Sequence, residues 1–388
     1  MNVIYMILQV LGAMVIAALL NFGIDQILLR RWRKAASLHW TEQARILHPI
    51  STTTRVNLWL IPAIIAMAFE IFWPGRVYWE IDAVAAWICT YLTNYSYVKS
   101  LFPQFTFKSW IYLSIFGSGF LFFFYGSFIL AGFVMPSDFG WITWMIFTLE
   151  FFCIVIMVQG SAAVWLFCKI GWFKQADERT LRIATEAANE AKTDFRHIWI
   201  FESPIYFGGA LFWVNDLLFS NTLIESLTDE EFSTICHHEL AHLNEPLSTK
   251  LRRFVSYFVF LPFVLITPVV HRYSIIGFAL LYLCFLIIAW IPYRLSRKME
   301  VRADSIASSR QALQGVYARA LEKLYKNNRT PVVMRKNNLP HPHLYDRMVS
   351  AGLTPDYPRP KPPKATTWPL ALLFIVGIVM VYILASRQ

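Results

Sequence analysis

Long apolar runs alternate with polar blocks along this chain. Seven runs are long enough, or nearly so, to cross a ~30 Å hydrocarbon core as helices that rise about 1.5 Å per residue. They lie at residues 3–22, 57–73, 109–134, 141–170, 254–270, 273–291 and 367–386. An eighth, weaker run at 83–98 is short and contains Asn94. The pattern predicts a mainly α polytopic membrane protein with about eight transmembrane helices.

The polar blocks divide the chain into five predicted regions. They are an N-terminal membrane region at 1–170 with about five transmembrane helices, a first polar block at 171–253, a transmembrane hairpin at 254–291, a second polar block at 292–366 and a C-terminal transmembrane helix at 367–388. His271 and Arg272 would form the turn of the hairpin. The hairpin returns the chain to its starting side, so we expect both polar blocks to form one small α+β domain.

Composition excludes several classes of protein. The 388 residues include 35 Lys and Arg against 25 Asp and Glu, a net charge of +10, with only 15% charged and 56% apolar residues. Soluble domains carry roughly 25% charged residues, so a single soluble globule is excluded. The cations flank apolar runs instead of clustering on one soluble face, which argues against nucleic acid as a partner. The five cysteines form no C-x-x-C pair and are interpreted as packing residues.

Charge asymmetry predicts the orientation in the membrane. No cation precedes the first apolar run, whereas a basic segment at 24–55 follows it, so its start lies outside and its end in the cytoplasm. If 83–98 also crosses, both polar blocks are cytoplasmic; otherwise they lie outside, against the positive-inside rule. We therefore expect a multi-pass protein of the cell (inner) membrane with its active site on the cytoplasmic side. Segment 24–55 is either a helix on anionic lipid or a solvated basic loop.

The chemistry is concentrated in the segment CHHELAH. His238, Glu239 and His242 form H-E-x-x-H, which on a helix lets both imidazoles reach one zinc ion while Glu239 addresses a water on the metal. Thr228 and Glu231 form a capping-box pattern at the start of that helix. The alternative is a pair of surface histidines on an amphipathic helix, and the neighbouring His237 is interpreted as a bystander.

A catalytic zinc needs a third protein ligand. Glu245 shares the helical face but lies about 7 Å beyond the midpoint of the two histidines along the axis, too far to bind. Glu300 is the best candidate because Asp304, four residues on, shares its face and could accept a hydrogen bond from a zinc-bound imidazole. Alone, this pair could equally belong to a solvated helix face.

Together, these motifs resemble the membrane zinc endopeptidases that include the heat-shock protease HtpX and the CAAX prenyl protease. The matching segments are HELAH at 238–242, EVRAD at 300–304 for the family's E-x-x-A-D, and HPHLYDRM at 341–348 for its H-P-P-x-x-x-R-I. His343 replaces the second proline. The resemblance covers residues 175–350 and implies a gluzincin site, with His238, His242 and Glu300 on one Zn²⁺ per chain.

The resemblance also implies roles for residues outside the zinc ligands. Glu239 would be the general base and Asp304 would support a ligand, while His341 and Arg347 would face the cleft and stabilise the oxyanion. Residues 197–216 are interpreted as two short strands around a Gly-Gly pair, and the second, at 210–214, resembles the family's substrate-binding edge strand. Its substrate-binding residues would be Ala210, Leu211, Phe212 and Trp213, unless it is an aromatic core strand.

The predicted function is hydrolysis of peptide bonds by a zinc-activated water, with protein or peptide substrates drawn from membrane or membrane-adjacent proteins. A sensor-transducer that cleaves a cytoplasmic regulator and a CAAX-type processing protease are the alternatives. A scaffold with a structural zinc is disfavoured, since such a site has no use for Glu239. Glu70, Asp82 and Glu150, in or beside apolar runs, could line a water-filled chamber, pack against arginine or lie at the interface.

Overall fold

The computed structural model describes residues 3–72, 79–116, 134–159, 162–259, 261–335, 342–365, 371, 372 and 375. The chain divides into two compact units. Unit 1 comprises Met1–Phe107, Arg329–Arg335 and Tyr357–Gln388, and unit 2 comprises Lys108–Asn328 and Lys336–Asp356.

Unit 1 is built on three long helices: α1 (Val3–Arg33), α2 (Trp40–Phe72) and α3 (Trp79–Leu101). Helices α1 and α3 run in the same direction, because Gln9 of α1 bonds Asp82 and Asn21 bonds the carbonyl of Thr90. The outer face of α1 is apolar, with Leu8 and Leu19 more than half exposed. A water-soluble helix would not leave this face uncovered, whereas lipid can cover it.

Helix α2 runs opposite to α1. Ala13 near the start of α1 clusters with Ile65 near the end of α2, while Leu29 near the end of α1 clusters with Ile50. Alanines at the contact let the helix backbones approach closely, as in membrane bundles. The three helices therefore form an alternating bundle with its apolar residues directed both inward and outward.

Helix α3 contains the weak run at 83–98. Its polar residues Asp82, Thr90 and Asn94 are buried in the bundle, while the large residues on its exposed face are apolar: Ile81, Val84, Ile88 and Leu92. The mean hydropathy of this helix is low because it includes the buried polar residues, although the exposed face is apolar. The distribution favours the predicted crossing, which stays a prediction.

The described chain contains three helices that are long and apolar enough to span a membrane: Val3–Arg33, Trp40–Phe69 and Leu261–Ile288. A shorter apolar helix covers Trp141–Ile156. Most of the predicted segment 109–134 and nearly all of the C-terminal helix 367–388 lie outside the described residues. The structure therefore supports a mostly helical membrane protein, while the number of eight crossings stays a prediction.

Unit 2 begins with helices that lead into a small sheet. They are α4 (Phe107–Ser114), α5 (Trp141–Gln159) and α6 (Ala162–Lys169). Aromatic rings join this region to the sheet, since Phe116 and Phe167 pack against Trp172 and Phe201. This packing explains why residues 108–170, which the sequence pattern grouped with the membrane region, belong to the same compact unit as the polar block.

The sheet has four strands: β1 (Phe173–Gln175), β2 (Ile198–Phe201), β3 (Gly208–Leu211) and β4 (Asp216–Ser220), with α7 (Glu178–Ala191) between β1 and β2. The strand order is β1-β2-β4-β3. Strand β2 pairs with β4 in parallel, and the outer pairs are antiparallel. Every residue of β4 is buried, so this strand is the centre of the domain.

Further helices complete unit 2. They are α8 (Asn221–Ser226), α9 (Asp229–Leu243), α10 (Leu247–Val255), α11 (Ile266–Ser309), α12 (Val316–Asn327) and α13 (Leu344–Ser350), with short 3₁₀ turns at Ser256–Phe258 and Leu261–Leu265. Helix α9 contacts both α11 and α12, so it joins the two polar blocks of the sequence.

Helix α11 is interrupted near its start. Ser274 has φ 51° and ψ −141°, outside the helical region. A Cβ on Gly277 would lie 2.6 Å from the carbonyl oxygen of Val269, so only glycine permits this close approach. The rings of Phe263 and Phe285 meet at 5.7 Å although 22 positions separate them. The chain therefore turns back beside His271 and Arg272, while membrane crossing by this hairpin stays a prediction.

Candidate active site

Helix α9 begins with a complete capping box. The Thr228 hydroxyl accepts from the backbone N–H of Glu231 at 3.2 Å, and the Glu231 carboxylate accepts from the backbone N–H of Thr228 at 3.0 Å. Lys323 of α12 donates to the same carboxylate at 2.6 Å. These bonds satisfy backbone donors that a helix start leaves unpaired. They hold the H-E-x-x-H segment as regular helix through to Leu243.

His238, His242 and Glu300 converge at one point. The Nε2 atoms of the two histidines are 3.3 Å apart, and the Glu300 carboxylate oxygens lie 3.5 Å from that of His238 and 3.6 Å from that of His242. The three side chains are buried and come from α9 and α11. The structure thus brings together the three residues that the motifs predicted as ligands.

The spacing of these donor atoms fits zinc. Donors about 2.0–2.1 Å from a tetrahedral zinc ion lie roughly 3.3–3.4 Å from one another. The distances among His238, His242 and Glu300 are close to these values, and two imidazoles with one carboxylate form a set that leaves a fourth position open. The residues present therefore fit a catalytic zinc ion.

Behind His238, a carboxylate and an arginine fix the imidazole. Its Nδ1 lies 2.8 Å from the Tyr317 hydroxyl and 3.2 Å from Asp304. Tyr317 donates to Asp304 at 2.7 Å, and Arg347 donates to both oxygens of that carboxylate at 2.7 and 2.8 Å. The interactions at Nδ1 leave Nε2 directed toward the other ligands.

A second chain of the same kind lies behind His242. Its Nδ1 is 2.7 Å from Glu245, and Arg253 of α10 donates to the same carboxylate oxygen at 2.8 Å. Glu245, three positions beyond His242, contacts the outer nitrogen of that ring and is not part of the group formed by His238, His242 and Glu300. We call the sets His238–Asp304–Arg347 and His242–Glu245–Arg253 the two support chains.

The support chains shift the protonation equilibria of the site. Burial lowers the pKa of His242, but the hydrogen bond to Glu245 and the interactions with Glu300 outweigh it and raise the pKa to about 10. Burial likewise raises the pKa of Asp304, while His238 and Arg347 more than compensate and hold it at about 2. The carboxylates of this site therefore favour positive charge on the imidazoles, the same preference that attracts a metal cation.

Glu239 and His237 lie on different faces of α9. Glu239 is 8% exposed and lies between the two candidate histidine ligands in sequence, and its role as general base stays a prediction. His237 is buried, and its Nε2 lies 3.1 Å from Glu190 of α7. The expectation that His237 is a bystander agrees with this contact, which holds α7 against α9.

Two sequence-predicted catalytic residues have different outcomes. His341 lies outside the described residues, so its role stays a prediction. Arg347 is buried and directs its guanidinium to Asp304, Tyr317 and the Tyr325 hydroxyl. This geometry supports positioning of His238 through Asp304, whereas the sequence interpretation placed Arg347 in the cleft.

The predicted edge strand is shorter than expected. It covers Gly208–Leu211, so Ala210 and Leu211 lie on β3, while Phe212 and Trp213 belong to the turn before β4. The Trp213 ring packs against Phe254 at 5.1 Å, which explains why this aromatic pair leaves the strand. Strand β3 is an edge of the described sheet and contacts α9, whereas the expected two-strand unit is part of a four-stranded sheet.

The roles of Glu70, Asp82 and Glu150, in or beside the apolar runs, stay predictions. Asp82 is buried and accepts from Gln9 at 2.6 Å in unit 1, whereas Glu150 is half-buried on α5 of unit 2. The side chain of Glu70 lies outside the described residues.

Comparison with known proteins gives a family and a fold. Residues 173–352 match the model of peptidase family M48. The crystal structure of S. mikatae Ste24p is similar with a TM-score of 0.50 and 15% sequence identity, covering 89% of this chain and 99% of that one. At this identity the likeness concerns the fold. No curated protein sequence matches the chain.

Fold, site and comparisons together define a membrane zinc metallopeptidase. The match of residues 173–352 to peptidase family M48 confirms the family resemblance seen in the motifs. Peptidase family M48 is zinc-dependent in general, and the His-His-Glu cluster of this chain agrees with that.

Proposed function

We propose that this protein is an integral-membrane endopeptidase that cuts membrane or membrane-associated proteins at the cytoplasmic face. The observation that carries the proposal is the convergence of His238, His242 and Glu300 at zinc-compatible distances, with Glu239 on the same helix. A purely structural zinc would need a fourth protein ligand and no neighbouring base.

The residues around the site have separate roles in the proposed reaction. Zinc, when bound, lowers the pKa of a coordinated water and polarises the peptide carbonyl. Glu239 accepts the proton of the attacking water and returns it to the leaving amine. The two support chains hold the His238 and His242 rings in one orientation, with Arg347 and Arg253 as positioning residues.

Strand β3 is the proposed binding edge for the substrate. Edge strands offer unpaired N–H and C=O groups to an extended peptide, which gains affinity from backbone bonds and tolerates varied side chains. The contact of β3 with α9 supports this role. In this proposal Ala210 and Leu211 contact the substrate, while Phe212 and Trp213 stabilise the turn that ends the strand.

The proposed cytoplasmic side of the active site rests on charge. Arg30, Arg31 and Arg33 occupy the last turn of α1, the end that the positive-inside rule assigns to the cytoplasm. Protease accessibility of a tag in the second polar block, in oriented membrane vesicles, tests this assignment.

The central test compares Glu239→Gln with the wild type. We expect hydrolysis of an unfolded protein substrate to fall on the order of 10²–10⁴-fold, since general acid–base catalysis contributes this much. Zinc content should stay near one per chain because Glu239 is not a ligand. Glu300→Gln should lose both zinc and activity, and Glu230→Gln, an exposed substitution on the same helix, should change neither. Activity that survives Glu239→Gln would contradict the proposal.

Substrate choice is a separate question that a panel addresses. An unfolded membrane protein and a prenylated CAAX peptide, incubated with the same preparation, separate general degradation from the processing alternative. Preferred cleavage of the CAAX peptide would replace the proposed substrate class and leave the chemistry of the site unchanged.

A further inference from the structure

Unit 1 contains a cavity that the peptidase reaction does not use. It has a volume of about 490 Å³, within the range of small-molecule sites. The cavity lies between the end of α1 and the start of α2, and part of the chain after α13 also lines it. We call it the α1–α2 cavity.

The wall of the α1–α2 cavity changes from cationic to apolar with depth. Arg31 and Arg45 lie toward the helix ends, where α1 ends and α2 begins. Leu28 and Ile50, further from those ends, provide apolar lining deeper in the bundle. Lys364 adds a third cation to the lining. A ligand that fills this space needs an anionic head and a hydrocarbon tail.

The cations retain capacity for an anion. Glu42 accepts from Nε and Nη2 of Arg45 at 2.7 and 2.6 Å, which leaves Nη1 outside this pair. Arg31 and Lys364 are exposed. With one carboxylate near three cations, the rim has a net positive charge of about two, and phosphate recognition by guanidinium groups is favourable.

We propose that the α1–α2 cavity binds an anionic phospholipid, with its phosphate on Arg31, Arg45 and Lys364 and an acyl chain along Leu28, Ile46 and Ile50. The location supports a lipid over a soluble phosphate, because α1 and α2 are both helices long and apolar enough to span a membrane. Basic pockets between membrane helices are a recurrent form of lipid site. Segment 24–55 thus contributes to a built pocket and not only to a basic surface.

Thermal unfolding of the detergent-purified full-length protein tests the proposal. Dioleoyl phosphatidylglycerol should raise the Tm with saturation, whereas dioleoyl phosphatidylcholine, inorganic phosphate and glycerol 1-phosphate should not. The triple variant Arg31→Gln/Arg45→Gln/Lys364→Gln should bind phosphatidylglycerol roughly a hundredfold more weakly, since each cation near an anionic headgroup contributes about fivefold.

Two further variants make the result decisive. Arg30→Gln/Arg33→Gln/Lys34→Gln also removes three positive charges, at and just after the end of α1 but outside the cavity lining, and should keep the wild-type response. Leu28→Trp fills the cavity without changing charge and should abolish the response. Equal stabilisation of all variants would show unspecific lipid solvation and overturn the proposal. An equal response to inorganic phosphate would overturn the lipid assignment.

Discussion

Two buried polar clusters in this protein follow different rules. The active site of unit 2 contains carboxylates and arginines, and Asp304 and Glu245 each have a cationic partner. In unit 1, Asp25 is completely buried, and its hydrogen-bond partners in the described chain are neutral, among them the Thr54 hydroxyl at 3.2 Å and the Asn21 amide at 3.3 Å. We call the second cluster the polar seam; it also includes Thr90 and Thr93.

The difference shows what each cluster is built to do. Buried charges cost several kcal/mol each in desolvation and are retained when paired, so a network of ions can hold metal ligands in fixed positions. Neutral hydrogen bonds between membrane helices contribute roughly 0.6–2 kcal/mol and mainly fix which helices pack together. Carboxylate-to-amide substitutions should therefore have unequal effects in the two clusters.

The largest effect is expected for Asp304→Asn. The amide keeps the size of the side chain but leaves the buried Arg347 guanidinium without its counter-charge. We expect a loss of about 3–5 kcal/mol in the free energy of unfolding, measured on metal-free protein by denaturant titration. The exposed substitution Asp194→Asn is the control and should change little. A loss below about 1 kcal/mol would mean that the ion pair is not needed for stability.

An intermediate effect is expected for Glu245→Gln. Glutamine can still accept from His242, but the negative charge that makes the imidazole a stronger zinc ligand is lost. Zinc affinity, measured against a competing chelator, should fall roughly 10–100-fold. Excess zinc should restore activity, and the exposed substitution Glu225→Gln should leave the affinity unchanged. Unchanged zinc affinity in Glu245→Gln would show that the second support chain does not strengthen zinc binding.

The smallest effect is expected for Asp25→Asn. Asparagine can accept from Thr54 as the carboxylate does, and its amide can donate to Asn21 Oδ1, which has no hydrogen-bond partner in the described chain. The stability of the full-length protein in detergent should change by less than about 1 kcal/mol. Asp25→Leu should cost about 1–3 kcal/mol, because it removes the carboxyl acceptor of the buried Thr54 hydroxyl. A loss as large as that of Asp304→Asn would show that Asp25 has a cationic partner.

Much of the active site could be predicted because its geometry is local. One helical turn separates His238 from His242, and one turn separates Glu300 from Asp304, so each pair shares a helix face before any tertiary structure is known. The capping box at Thr228 was predicted for the same reason. Spacing on a helix translates directly into distance.

The remaining site residues escaped prediction because their roles arise between helices. Tyr317 reaches His238 from α12, across 79 positions of sequence, and no motif marks it. The contact of Glu245 with His242 follows from helix spacing, but its pairing with Arg253 depends on how α10 leaves the active-site helix. The end of β3 at Leu211 likewise depends on the packing of Trp213 against Phe254.

The sequence by itself determined the class of chemistry, the membrane character and the candidate ligands, because these depend on composition and on spacing within single helices. Only the tertiary structure decided that two arginines support the candidate ligands, that Asp25 has neutral partners in the described chain and that three cations line the α1–α2 cavity. Each of these depends on side chains from elements far apart in sequence, whose approach is set by the packing of the whole fold.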